Sequence, residues 1–282
     1  MPHLDHIIVL IPYHTLLTLP SWLTSNFTIT PGGRHADNAT ENKLIIFRDG
    51  SYIELISFIN DDPKLREGHW WGKKEFGIID FAFTSKNLSA EESFEEVRER
   101  LGGVHWESGE REIGYEEPRK GGRLRDDGVE VKWQVTFPVV SEEGYQRGEL
   151  PFFCHDVTER GLRVPISEES VKHPSGVVGV KSLGVYVPES REKTLGKGYK
   201  AIIGTEGDGE RFETEPLKGE TGKVSFLVKV PEEEKQRKLM EQRGGLLLGD
   251  LVFYKEKGSE STAGVTRIDG ENSEVAMGGW YL

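Results

Sequence analysis

HIIVLIP at residues 6–12, SLGVYVP at 182–188 and SFLVKVP at 225–231 share one pattern. Each is a short run rich in β-branched residues that stops at a proline. Such a run reads as a strand, and the proline both ends the ladder and suits the first turn of a helix. GIIDFAFTSKN at 77–87 has the same logic without the proline. Three like endings favour a repeated strand–helix unit over coincidence.

The segments after these strands extend the unit. Ser89-Ala90-Glu91-Glu92 is a capping-box sequence, Phe94, Val97 and Leu101 come next at helical spacing, and Gly102-Gly103 closes the helix. After Pro231, acids precede bases up to Gly244, as the helix dipole favours. Pro20 interrupts the first helix, so a short, broken one is expected near 14–25. Strands are then expected at Phe27–Thr30, Lys43–Phe47 and Tyr52–Phe58, with an Asp49-Gly50 hairpin between the last two. The second unit offers 111–117, Glu130–Phe137 and Pro151–Val157. The unit opening at 225–231 offers Leu246–Tyr254, Val265–Ile268 and Val275–Tyr281. Residues 158–178 carry Gly, Pro and charge without a period. The expected division is a paired unit over 1–160, a linker over 161–178, and a leaner pair over 179–282. The fold class is α+β, with repeated βαβββ modules whose curved, mainly antiparallel sheets pair into a cup.

The 282 residues carry 48 acids against 36 bases, a net charge of −12. Such a surface repels phosphate backbones and anionic headgroups, so nucleic acid and membranes are not expected partners. Cys154, the single cysteine, allows neither an intrachain disulfide nor a cysteine-rich zinc site. With a first apolar run too short for a signal core, a cytoplasmic location is expected. No GxGxxG, P-loop, GxSxG or HExxH occurs, which lowers the nucleotide and serine-hydrolase readings.

Leu4-Asp5-His6-Ile7-Ile8-Val9, Thr30-Pro31-Gly32-Gly33-Arg34-His35 and Tyr52-Ile53-Glu54-Leu55 together resemble the glyoxalase-like domains of the vicinal-oxygen-chelate superfamily. Trp133…Phe137-Pro138 and Leu150-Pro151-Phe152-Phe153 add to the likeness, which spans roughly residues 1–180. The resemblance implies two βαβββ modules around a cup, commonly with a metal held by the first and last strands of each module. His6 matches the first-strand ligand and Glu54 the last-strand carboxylate. The second module departs from the pattern, with Asp80 or Phe81 at one position and Cys154-His155-Asp156 at the other.

The residues themselves point the same way. Ile7, Val9 and Ile11 form one apolar strand face suited to a helix layer, leaving His6 on the other with Ile8 and Leu10. Glu54 shares its face with Ile56 and Phe58, where a carboxylate needs a partner. His6 and Glu54 form either an ion pair or part of a metal site for Zn, Fe, Ni or Mn; a protein without metal is the other reading. His155 would complete a two-histidine, one-carboxylate set, or is an ordinary strand-end histidine beside Asp156. Pro31-Gly32-Gly33 reads as a turn presenting Arg34 and His35 to an anionic oxygen. Asn42, Trp133 and Gln134 are candidate substrate contacts, and Glu54 and His35 candidate catalytic groups. The leading expectation is an isomerase, lyase or dioxygenase acting on a small oxygen-bearing metabolite. The alternative is a non-catalytic binding protein of the bleomycin-resistance type that sequesters an aromatic compound. A homodimer is compatible with either.

Overall fold

The computed structural model describes residues 1–125, 127–140, 144–205, 209–219, 221–256, 266–269 and 278–282. The first module runs β1 (His3–Leu10), α1 (Tyr13–Leu17), α2 (Ser21–Thr24), β2 (Thr30–Arg34), β3 (Thr40–Ile46) and β4 (Tyr52–Phe58). A short turn and α3 (Pro63–Arg66) lead to the second, β5 (Gly77–Thr84), α4 (Ala90–Gly102), β6 (Arg119–Leu124), β7 (Glu130–Thr136) and β8 (Phe152–Asp156). These strands make one eight-stranded sheet in the order β2-β3-β4-β1-β5-β8-β7-β6. Its edges nearly meet: Ala36 donates its N–H to the Gly122 carbonyl at 3.2 Å, and His35 bridges Arg123. The sheet is therefore an almost closed, barrel-like cup.

After α5 (Arg160–Arg163) come β9 (Val177–Tyr186), α6 (Glu189–Ile203), β10 (Arg211–Thr214), β11 (Val224–Lys229), α7 (Glu234–Gln242), β12 (Leu247–Lys255) and β13 (Trp280–Tyr281). The second sheet is ordered β10-β11-β9-β12-β13. That order repeats β3-β4-β1-β5-β8 of the first sheet. The pairing senses agree too: β9 lies parallel to β11 and antiparallel to β12, as β1 does to β4 and β5.

The local signals explain most of these elements. The Ser89 hydroxyl accepts from Glu92 N–H, and the Glu92 carboxylate accepts from Ser89 N–H, which fixes the start of α4. The first helix is broken at Pro20 as expected. Asp49 does more than turn a hairpin, because its Oδ2 accepts the Val180 N–H and so ties the β3–β4 loop to β9.

Four expectations need correction. Pro31-Gly32-Gly33 is not a turn but the body of β2, an edge strand. Residues 111–117 form no strand; the second module's edge is β6, RKGGRL, whose sequence has no apolar alternation to reveal it. The strand at 225–231 does not open a fourth unit. It is the last strand of the third, paired with β9, while β12 takes the place that β5 holds in the first sheet. A proline after a strand marks a strand end in general, not the start of a module. Finally, the apolar face of β1 is not covered by helices alone. Ile7, Val9 and Ile11 share one core with Leu183, Val185 and Val187 of the second sheet and its edge. Phe81 stacks on Phe226, ring centroids 5.3 Å apart. The expected strands at Val265–Ile268 and Val275–Tyr281 fall partly outside the described residues; within the described part, Trp280–Tyr281 is strand β13.

Candidate active site

The other face of the first sheet encloses a cavity of about 250 Å³. Its wall is aromatic and apolar, with Trp71, Trp133, Phe137 and Phe152 among its residues. Gly121 makes room for Trp133: a Cβ there would lie 2.4 Å from the indole nitrogen. At one end the lining turns polar, and the polar groups form a continuous chain.

Glu54 stands at its centre, buried on β4. His6 Nε2 lies 3.7 Å from Glu54 Oε2, and His35 Nε2 lies 3.3 Å from Oε1. Asn42 donates to Oε1 at 2.5 Å. Burial would raise the Glu54 pKa, but the hydrogen bonds and charge from His35, His6 and Asn42 win and hold it at about 2. Glu54 is therefore a carboxylate at any physiological pH.

His6 is fixed on both sides. Its ring stacks on Tyr52, centroids 4.7 Å apart, and its Nδ1 lies 2.7 Å from Asp5 Oδ2. A carboxylate only accepts, so Nδ1 carries a proton toward Asp5, and Nε2 is turned toward Glu54 and the cup. Asp5 is buried but bound by Arg160 and by Arg163, whose Nη1 reaches Oδ2 at 2.9 Å. Burial pushes its carboxyl up, and the two guanidiniums hold it well below the usual carboxylate range. Arg163 also donates to the Tyr52 hydroxyl at 2.8 Å and binds Asp156 at 2.6 Å. Arg163 comes from the segment expected to be a plain link and Arg160 from the position just before it; within that segment Val164 and Val171 also pack against Leu44 and Tyr52.

The candidate residues separate into two groups. His6, His35, Asn42, Glu54 and Trp133 are brought together in the cup. Arg34 faces the outer groove and pairs with Glu41 at 3.5 Å, with its side chain 59% exposed. Gln134 points away and donates to Glu91 on α4. His155 also lies off the cup, its ring stacked against Phe153. Cys154 takes the inward position instead, and burial pushes its thiol pKa far up, so it packs rather than reacts.

Several groups in the cup lining or directly behind it had no sequence signal. Asp5 would alternate away from His6 on a regular strand. Arg123 sits in β6, whose sequence does not read as a strand. His69, on the connection before β5, is held at a pKa of about 4 by burial, and its Nδ1 accepts the Trp71 N–H at 3.1 Å.

A family profile described as a glyoxalase-like domain matches residues 4–201. The chain belongs to the glyoxalase-like domain family. The match runs past the 1–180 expected from motifs and takes in β9 and most of α6. This glyoxalase-like chain also resembles the crystal structure of a hypothetical protein from Staphylococcus aureus. That relative is 13% identical, with a TM-score of 0.62, over 100% of this chain and 98% of the other. The likeness is one of fold, and it includes the second sheet, whose sequence resembled nothing by itself. A xylose isomerase-like TIM barrel/4-hydroxyphenylpyruvate dioxygenase fusion protein aligns at 9% identity and a TM-score of 0.47. The alignment covers 89% of this chain and 36% of the fusion protein, too weak a likeness to bear on function. No curated protein sequence matches the chain. Among the described residues, no helix is long and apolar enough to cross a membrane.

The metal that the resemblance implies can be tested against the donor set. The first module supplies His6 and Glu54. Across the sheet His6 pairs with Ala82, Ile8 with Asp80 and Ala82 with Phe152, and the buried Asp80 carboxylate accepts the Trp71 indole N–H at 2.8 Å. Besides this carboxylate, already engaged by Trp71, the second module offers an alanine, a phenylalanine and a buried thiol. Among the described residues no group of three or more His, Cys, Asp or Glu is arranged to hold a metal ion. The residues present do not fit a chelate shared between the two modules.

Proposed function

We propose that this glyoxalase-like protein is a small-molecule enzyme that moves a proton on an oxygen-bearing metabolite in the cup, an isomerase- or lyase-type reaction. One observation carries the reading: an ionised carboxylate, Glu54, set between two imidazoles at the polar end of a cavity with an aromatic wall. A carboxylate that titrates near 2 is a poor proton carrier at neutral pH, whereas imidazole suits that task. His6, its Nδ1–H held by Asp5, has the lone pair of Nε2 to take a proton from the carbon beside a carbonyl. The electron pair moves onto the carbonyl oxygen, and Asp5 stabilises the imidazolium formed. His35, its Nε2–H directed at Glu54, gives a proton to that oxygen. The first proton then returns at the former carbonyl carbon, while the neighbouring hydroxyl gives its own proton back to His35. This completes an isomerisation and restores both imidazoles. Glu54 orients His35 and balances its charge.

The test is solvent exchange. With 2-hydroxyacetophenone in D2O, the wild-type protein is expected to speed deuterium entry at the carbon next to the carbonyl, as read by NMR. His6→Gln and Glu54→Gln should each abolish the effect. Elemental analysis is expected to find no stoichiometric transition metal in active protein. Ligand binding without exchange would overturn the reading and favour sequestration. That second function has an observation of its own: the half of the cup built from Ala82, Phe152 and Cys154 is chemically inert.

A further inference from the structure

Two buried guanidiniums, those of Arg123 and Arg163, border the polar end of the cup, and among the described residues only that of Arg163 has carboxylate partners. Arg160 and Arg163 share Asp5 and Asp156. Arg123, on β6 and only 5% exposed, has no carboxylate oxygen within ion-pair distance among the described residues. Its Nη1 donates to Asn42 Oδ1 at 3.3 Å and its Nη2 to the Arg163 carbonyl at 3.0 Å. Its Nε is buried with no partner. Glu54 is nearby but is not its counter-ion. The Asn42 amide stands between them, with Oδ1 toward the guanidinium and Nδ2 on Glu54 Oε1. Glu54 is matched instead by the imidazoles.

A guanidinium cannot shed its proton, and a buried one without an anion is costly unless something completes it. Its remaining N–H groups form a fork that suits a carboxylate. The cavity, about 250 Å³, lies at the small end for ligands, which limits the occupant to one ring and its substituents. Trp133 and Phe137 supply the aromatic wall.

We infer that the ligand of the cup is a single-ring aromatic carboxylate whose carboxyl group docks on Arg123. The inference rests on the proposal that the cup is the ligand site, and it adds the ligand's class and the residue that selects it. Arg123 lies off the proton-transfer path from His6 to His35, so its part is recognition.

The experiment compares benzoate with benzamide, two probes of one shape and different charge, by quenching of tryptophan fluorescence. Wild-type protein is expected to prefer benzoate by about tenfold or more, the scale of one charge-assisted hydrogen bond. Arg123→Gln should bring the two affinities together, and Arg123→Lys should retain part of the preference. Equal affinities in the wild type would overturn the inference while leaving the cup as the ligand site, and this comparison needs no variant to fold. Failure of both probes to bind would overturn the ligand-site reading itself. A preference that survives in a folded Arg123→Gln protein would assign the carboxylate to another group.

Discussion

Asp5 and His6 are neighbours in sequence, yet their side chains meet, with Asp5 Oδ2 accepting from His6 Nδ1 at 2.7 Å. Regular alternation would send them to opposite faces. The register between β1 and β5 slips between Leu4 and His6, and this bulge turns both toward the arginines and the cup. Asp5→Asn should therefore destabilise the fold by roughly 3–5 kcal/mol, because Arg160 and Arg163 are left to share Asp156. Chemical denaturation measures it, and an unchanged midpoint would show that the cluster contributes nothing.

Two carboxylates give opposite pH signatures. Glu54 is lowered from 4.5 to about 2, so its contribution is complete above about pH 4.5 and is lost as pH falls through about 2. Asp49 is raised from 3.8 to about 6 by burial, despite hydrogen bonds from Ser51 and Val180. Its folded form favours the proton, so stability declines as pH rises from about 4 to about 6. Each effect is on the order of 3 kcal/mol. Urea midpoints from pH 2 to 7 should lose the acid-side fall in Glu54→Gln and the decline from about pH 4 to 6 in Asp49→Asn.

Gly32 is a glycine because of Asn42. A Cβ at Gly32 would lie 2.0 Å from Asn42 Oδ1 and 2.4 Å from its carbonyl oxygen. Gly32→Ala is expected to cost about 1–3 kcal/mol and to displace the amide from Glu54 and Arg123. Benzoate affinity should fall by about tenfold, the loss of one good polar contact. Titration of the folded variant decides it, and wild-type affinity would separate Asn42 from ligand recognition.

Phe226 stacks on Phe81 and meets Phe83 edge-on at 5.0 Å, joining the second sheet to the back of the cup. Phe226→Ala should cost about 3–5 kcal/mol. Tryptophan fluorescence and far-ultraviolet circular dichroism should still report one coincident transition. Separate transitions would mean that the sheets unfold independently.

How much was legible depended on how local each cause was. The end of β4 at Phe58 and the start of α4 at Ser89 could be read because alternation and a capping box lie within a few residues. The meeting of His6 with Glu54 was legible from strand faces alone. β6 was illegible because Gly121 and Gly122 answer to Trp133 and to the opposite sheet edge, contacts absent from any short window. Asp5 was illegible because a bulge breaks the rule used to read it. His155 was correctly separated in face from Cys154, but which face met the cup depended on a register that only the paired strands reveal. Arg160 and Arg163 lay in a segment without periodicity, and periodicity says nothing about charge partners.

The repeated strand order has a consequence for how the molecule can change. Aligned on Pro12 and Pro188, His6 corresponds to Ser182, and the parallel registers place Leu227 where Glu54 stands. The framework is thus nearly duplicated while the chemistry occupies one copy. Substitutions on the outer surface of the second sheet can drift without reaching the reactive groups, provided Leu183, Val185 and Phe226 keep their volume. The same redundancy makes Ser182 and Leu227 natural places to graft an imidazole and a carboxylate, on a scaffold whose strand geometry already supports that pair once.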